Sequence, residues 1–167
     1  YLGQGQEIRA ILAFERAQSI GFMYTPKDHF NLVGIHFNIG QYERAAELLD
    51  KGLHNGSIDN EEKNWELLAY SYQQLNRDFK AIDTLKEATK VFPKSGQLEY
   101  LIAQAYYSME KFAEALPHLE ASVQKGGGNK PHQTYLFLAF IAYELKKFDV
   151  ALAAAERGRL MLALSRL

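Results

Sequence analysis

A chain of 167 residues and 19.0 kDa, 47% hydrophobic and 23% charged, carries enough apolar content for a sizeable core and does not read as a disordered tail. Its net charge of -1, with both signs mixed along the sequence, offers no field to a phosphate backbone and argues against a nucleic-acid partner. The absence of cysteine excludes disulfides, thiolate nucleophiles and Cys-ligated zinc. The longest apolar run, YLFLAFIAY at residues 135–143, is well short of the roughly 20 residues that span a bilayer.

In chain order, YLGQG (residues 1–5) reads as the end of one helix, and Ala10, Phe14 and Ala17 have the spacing of a second. Residues 1–25 are therefore expected to be the remnant of a helical hairpin begun upstream, where a targeting segment or anchor would also lie. Four segments that match one another follow: 26–58, 59–94, 95–128 and 129–164. A small residue recurs in the first helix of each (Val33, Ala69, Ala103, Ala139) and early in the second (Ala45, Ala81, Ala115, Ala151), at steps of 36, 34 and 36 residues. Large apolar residues keep the same register: Leu32, Leu68, Ile102 and Leu138, then Leu49, Leu85 and Leu119, with Ala155 breaking the last series. Small residues at helix crossings let antiparallel helices approach closely while large ones fill the space beside them. A further series, Gly52, Ala88, Ser122 and Gly158, is expected where each second helix passes the next unit.

The punctuation agrees with these boundaries. TPKD (residues 25–28) offers a proline in a first turn, and Asp59 precedes EEKNWELL, whose acids suit a helix N-terminus. Gly40, Asn76 and KGGGNKP (residues 125–131) supply turns. Pro117 falls in the first turns of a second helix, where the lost donor should cost little. RGRLMLALSRL (residues 157–167) is helical by propensity and suited to cap the stack.

Trp65, Leu68, Ala69, Tyr72, Ala81, Leu85, Ala88 and Pro93 resemble, in residue type and spacing, the tetratricopeptide pattern W-x2-L-G-x2-Y, A-x3-F and P. The resemblance implies a single all-α domain over residues 1–167, a right-handed superhelix of antiparallel helix pairs, and a role as a protein-binding scaffold. One variety of that family clamps C-terminal carboxylates with Lys, Asn and Arg. At those positions this sequence has Phe30, Gly34, Leu67, Gln97 and Leu101, so that function is not carried over.

Residues that might carry chemistry read more simply as structure. His29 and His36 are seven apart rather than four, so His29, His36, His54, His118 and His132 are taken as packing or surface residues and no metal is expected. Glu61 and Glu62 are neighbours that cannot face each other on a helix. GGGNK lacks the phosphate-cradle pattern and precedes no strand. No serine has a nucleophile-elbow context, although spacing alone does not decide whether distant residues assemble a triad. The expectation is a non-enzymatic protein without a cofactor.

What remains is a surface. In a stack of hairpins the first helices line the concave wall. Register then places there Lys27, Phe30, Phe37 and Asn38; Lys63, Glu66, Tyr70, Gln73 and Gln74; Gln97, Tyr100, Gln104 and Tyr107; and His132, Leu136, Phe140 and Tyr143. Rings give rigid apolar contact and amides satisfy backbone groups, a combination suited to a peptide or a partner helix. For any one tyrosine, packing between hairpins is an equal alternative. A structural spacer or self-associating solenoid is the alternative for the whole chain, so the oligomeric state stays open.

Two segments also resemble a bacterial subgroup of these proteins described as a putative component of TonB energy-transduction systems. Lys63, Asn64, Glu66, Leu67, Leu68 and Ala69 match its K-N-x-E-L-L-A run, and Lys125, Gly126, Gly127 and Pro131 match its K-G-G segment leading through a proline into an apolar helix. That resemblance implies a periplasmic protein beside TonB, ExbB and ExbD-type envelope partners. A cytoplasmic location is the alternative.

Overall fold

The computed structural model describes the backbone of residues 2–23 and 25–165, with side chains from Gly5 onward. Among the described residues there are nine α-helices and no strand: α1 (Leu2–Ser19), α2 (Pro26–Asn38), α3 (Tyr42–Asn55), α4 (Glu62–Gln74), α5 (Asp78–Val91), α6 (Gly96–Ser108), α7 (Phe112–Gln124), α8 (Pro131–Glu144) and α9 (Phe148–Leu164). The chain divides into two compact units, Tyr1–Ala81 (unit 1) and Ile82–Leu167 (unit 2), the division falling inside α5. None of these helices is long and apolar enough to cross a membrane.

The expected break after YLGQG is not there, since Leu2 to Gly5 are the first residues of a continuous α1. Tyr1 of that segment, and Arg166 and Leu167 of the C-terminal one, lie outside the described residues. The rest of RGRLMLALSRL is the last part of α9 rather than a separate cap.

Local chemistry explains the helix ends. Thr25 closes a capping box on α2: its hydroxyl oxygen accepts from the Asp28 N–H at 3.2 Å, and the Asp28 carboxylate accepts from the Thr25 N–H at 3.2 Å, with Pro26 opening the helix. Ser95 caps α6 through the Leu98 N–H at 3.1 Å. Asp59 is not the cap of α4. That position belongs to Glu61, while the Asp59 carbonyl accepts from Asn64 Nδ2 at 2.8 Å and Asn60 Oδ1 accepts from the indole of Trp65 at 2.6 Å.

The hairpin turns repeat one geometry. Gly40, Asn76, Glu110 and Lys146 all have left-handed φ, at 77°, 56°, 58° and 58°. In each turn the next N–H reaches back five residues, from Gln41 to His36, Arg77 to Tyr72, Lys111 to Tyr106 and Lys147 to Ala142, at 2.8–2.9 Å. This is the hydrogen bond that ends a helix in the Schellman manner, and it satisfies carbonyls the helix leaves open.

Within unit 1, α2 packs on α3 and α3 on α4; within unit 2, α6 packs on α7, α7 on α8 and α8 on α9. The recurring small residues Val33, Ala45, Ala69, Ala81, Ala103, Ala115 and Ala151 are buried, whereas Ala139 is half-buried. In the second small series, Ser122 and Gly158 lie against the first helix of their own hairpin and Gly52 lies against the linker after α3. The Ser122 hydroxyl donates to the Gly96 carbonyl at 2.7 Å, and a Cβ on Gly158 would meet Leu136 of α8 at 3.1 Å. A Cβ on Gly52 would meet Ile58, in the linker after α3, at 2.5 Å.

Unit 2 holds a buried polar lock. The Glu99 carboxylate on α6 accepts from His118 Nδ1 at 2.7 Å and from Lys125 Nζ at 2.7 Å, with Tyr106 stacked on the His118 ring at 5.7 Å. The His118 hydrogen bond, followed by that of Lys125, holds the Glu99 carboxyl below the usual carboxylate range against the opposing effect of burial.

Candidate functional site

The turn geometry decides where the aromatic residues meet. A ring four residues beyond the small residue of a first helix faces one at the start of the second helix, five positions on. Phe37 meets Tyr42 (5.2 Å, 78°), Tyr107 meets Phe112 (5.7 Å, 23°) and Tyr143 meets Phe148 (5.6 Å, 64°). The α4–α5 hairpin has Gln73 and Asp78 at these positions and no such pair.

A second relation links consecutive first helices. Phe37 lies 5.7 Å from Tyr70 in unit 1, and Tyr107 lies 5.9 Å from Phe140 in unit 2, each contact joining the same two register positions. Unit 2 extends this into a strip, because Phe137 sits edge-on to both Tyr100 (5.9 Å) and Tyr107 (5.2 Å). Edge-to-face pairs of this kind add to area burial and hold the rings in place.

The rings differ in exposure. Tyr100 and Phe137 are half-buried against the core formed by Ala103, Leu116, Leu119, Leu138 and Ile141. Tyr107, Phe140 and Tyr143 stay 41%, 43% and 61% exposed, and Tyr70 in unit 1 is 47% exposed. In the unit 1 trio, Phe37 and Tyr42 are half-buried.

The amides border these rings. Gln104 Nε2 donates to the Tyr100 hydroxyl at 3.2 Å, and Gln97 Oε1 accepts the Asn129 N–H at 3.0 Å, fixing the glycine-rich linker against the start of α6. Burial raises the Tyr100 phenol above its ordinary value, so it is a neutral donor at physiological pH. Beside Tyr100 and Gln97 opens a notch lined also by Asn129, Lys130, Gln133 and Thr134.

The other expected residues are distributed as follows. Lys27, Asn38 and Gln74 are exposed, and Phe30 and Gln73 are half-buried. Lys63 is exposed and paired with Glu61 at 2.7 Å, which raises its pKa, while burial followed by the charge of Glu62 raises that of Glu66. His132 is not part of the ring strip; it lines a separate hollow with Pro131, Met161, Leu164 and Ser165. Tyr42, Phe112, Phe137 and Phe148 complete the ring contacts without having been singled out in sequence. The signal for Tyr42, Phe112 and Phe148 lies in the five-residue step across each turn, whereas Phe137 meets Tyr100 and Tyr107 of α6 without such a step.

No group of three or more His, Asp or Glu among the described residues is placed to hold a metal. His36 is buried, with Nδ1 2.6 Å from Gln41 Oε1 and Nε2 3.7 Å from Glu15 Oε1, and His54 Nδ1 donates to the Asp50 carbonyl at 2.8 Å.

The family model described as anaphase-promoting complex, cyclosome, subunit 3 matches residues 53–122, under half of the chain. Comparison with curated proteins finds no match. Among solved structures, a crystal structure of MamA aligns over 98% of this chain and 93% of that one, with a TM-score of 0.76 at 17% identity. A MamA fragment from Desulfovibrio magneticus RS-1 aligns over 99% of this chain and 89% of that one, with a TM-score of 0.68 at 18% identity. At such identities the likeness is one of fold. The fold is an all-α helical-repeat solenoid of the tetratricopeptide type.

Proposed function

We propose that this chain is a non-enzymatic scaffold, built from hairpins at 26–58, 59–94, 95–128 and 129–164, that presents faces of rings and amides to a peptide or protein partner. One observation carries the reading: Tyr107, Phe140 and Tyr143 remain exposed although each is held by at least one neighbouring ring. Rings fixed before binding lose little freedom when a partner arrives, which is the condition for an energetically dominant contact. The helical-repeat fold supports an interaction role of this kind. The resemblance of residues 63–69 and 125–131 to the TonB-system subgroup supports a partner among TonB, ExbB and ExbD-type envelope proteins and a periplasmic site.

Crosslinking in the native cell, comparing the wild-type chain with Tyr70→Ala/Tyr107→Ala, tests the proposal. The double variant is expected to keep its helical circular dichroism and to lose its captured partners by at least tenfold; unchanged capture sinks the reading. Self-association is a second reading, favoured by Leu152, Leu160 and Leu164, which leave α9 with 64%, 52% and 61% exposed leucines. Light scattering decides it: a stable oligomer with no captured partner replaces the scaffold by a spacer.

A further inference from the structure

We infer that the open side of the last hairpin, formed by Leu136 and Tyr143 of α8 with Phe148 and Leu152 of α9, is a docking site for one amphipathic α-helix of a partner protein. The inference goes beyond the ring-and-amide face proposed above, with which the site shares Tyr143.

The repeat itself identifies the occupant. The four residues stand 36 positions after Tyr100, Tyr107, Phe112 and Leu116, and those four have a helix over them. Phe137 of α8 sits edge-on to Tyr100 at 5.9 Å and to Tyr107 at 5.2 Å, while Phe112 and Leu116 pack in one core cluster with Leu138, Ile141 and Ala142 of α8. Under that helix Leu116 is 3% exposed and Phe112 half-buried; at the same register Leu152 is 64% exposed and Phe148 57%. The seat is already formed, because Tyr143 meets Phe148 at 5.6 Å as Tyr107 meets Phe112 at 5.7 Å. The α7–α8 contact therefore recurs on α9 with its receiving side complete and uncovered.

Packing within a hairpin does not require these residues. The α4–α5 hairpin carries Glu66, Gln73 and Asp78 at three of the four positions. A repeat whose outer face meets only water carries polar residues there. The last hairpin keeps all four apolar or aromatic, which marks a contact surface.

The matching helix follows the pattern of α8: a ring in the place of Phe137, branched aliphatic residues in those of Leu138 and Ile141, and a small residue in that of Ala142. Residues three and four apart share a helix face, so one such stripe is enough to fill the seat. A second folded copy has no helix of this kind to give, since its first helices bury Leu32, Leu68, Ile102 and Leu138 to 5% exposure or less. The helix comes from a different protein.

Fluorescence anisotropy of the full chain with two labelled peptides tests this. One is residues 129–147, which is α8 with Lys130, Lys146 and Lys147 to keep it in solution; the other is the same segment with Leu138→Asp and Ile141→Asp. The first is expected to bind saturably and at least tenfold more tightly than the second. Leu152→Glu leaves the fold intact, since that side chain already meets water, and should weaken the first peptide at least tenfold by carrying a carboxylate into an apolar contact. Tyr70→Ala/Tyr107→Ala should leave its affinity unchanged. If neither peptide binds, if both bind alike, or if Leu152→Glu changes nothing, the inference falls and the ring-and-amide face stands. It falls too if light scattering finds a stable oligomer that Leu152→Glu dissolves, which makes a second copy the occupant. It falls equally if Tyr70→Ala/Tyr107→Ala weakens the peptide as much as Leu152→Glu does, which moves the peptide onto the ring face. Partner capture in cells that survives the two tyrosine changes sinks the ring face alone.

Discussion

A methyl group added at Gly52 in unit 1 would fall 2.5 Å from a side-chain carbon of Ile58, whereas one added at Gly96 in unit 2 would fall 2.9 Å from two backbone atoms, Gly128 N and the Ser122 carbonyl oxygen. The same contrast runs through both units. Unit 1 seats the Ile58 side chain against Gly52 of α3 and caps α2 with Thr25, beside a trio of rings. Unit 2 ties α6 to α7 with a hydroxyl on a backbone carbonyl and a carboxylate shared by His118 and Lys125, and carries the longer ring strip. At the glycine sites one register therefore accepts either a side-chain or a backbone neighbour. The larger exposed aromatic face accompanies the polar fastening, which fixes backbone against backbone.

The largest test of that contrast uses the two glycines. Gly96→Ala should cost about 3 kcal/mol, because backbone cannot step aside, and Gly52→Ala about 1–2 kcal/mol, because Ile58 can change rotamer. Urea unfolding followed by helical signal measures both. Fluorescence of Trp65, the sole tryptophan and buried in unit 1, distinguishes loss of unit 2 from loss of the whole chain. Equal costs for the two substitutions would erase the distinction.

Next in size is Glu99→Gln, expected to cost about 2 kcal/mol at neutral pH through the weakened bonds to His118 and Lys125. The Glu99 carboxyl has its pKa below the ordinary 4.5 in the folded chain and near that value when unfolded. Its contribution is therefore complete above about pH 4.5 and is lost as pH falls through the folded value. Acid unfolding monitored by hydrogen exchange should open α6 and α7 in that window, and Glu99→Gln should flatten the dependence. An unaltered acid profile in the variant would remove the lock from the account.

The smallest effect sharpens what the units share. Glu110→Gly and Lys146→Gly should each stabilise by about 0.5–1 kcal/mol, since glycine pays no steric penalty at left-handed φ, while Gly40→Ala should lose about 1 kcal/mol. Thermal midpoints moving in these opposite directions would establish that all the turns obey one rule.

Those turns also mark how far sequence reading reaches. Gly40 and Asn76 announce left-handed positions by residue type, but Glu110 and Lys146 do so only through register, 34 and 70 residues beyond Asn76. The spacing of Ala10, Phe14 and Ala17 predicts a helix end at YLGQG, yet α1 runs through both glycines. The ring pairs at 37/42, 107/112 and 143/148 show in the sequence only as a spacing, since five residues match no helical face until a turn intervenes.

Sequence alone determined the all-α class, the three-dozen-residue period and the small residues at the crossings, because these follow from local propensity and from volumes that recur at fixed separations. Only tertiary structure decided which rings serve the core and which face outward, what Gly52, Ser122 and Gly158 pack against, and that Glu99 is shared by His118 and Lys125. Those outcomes depend on where distant backbone segments come to rest, and at each site a difference of an ångström separates a contact from a clash.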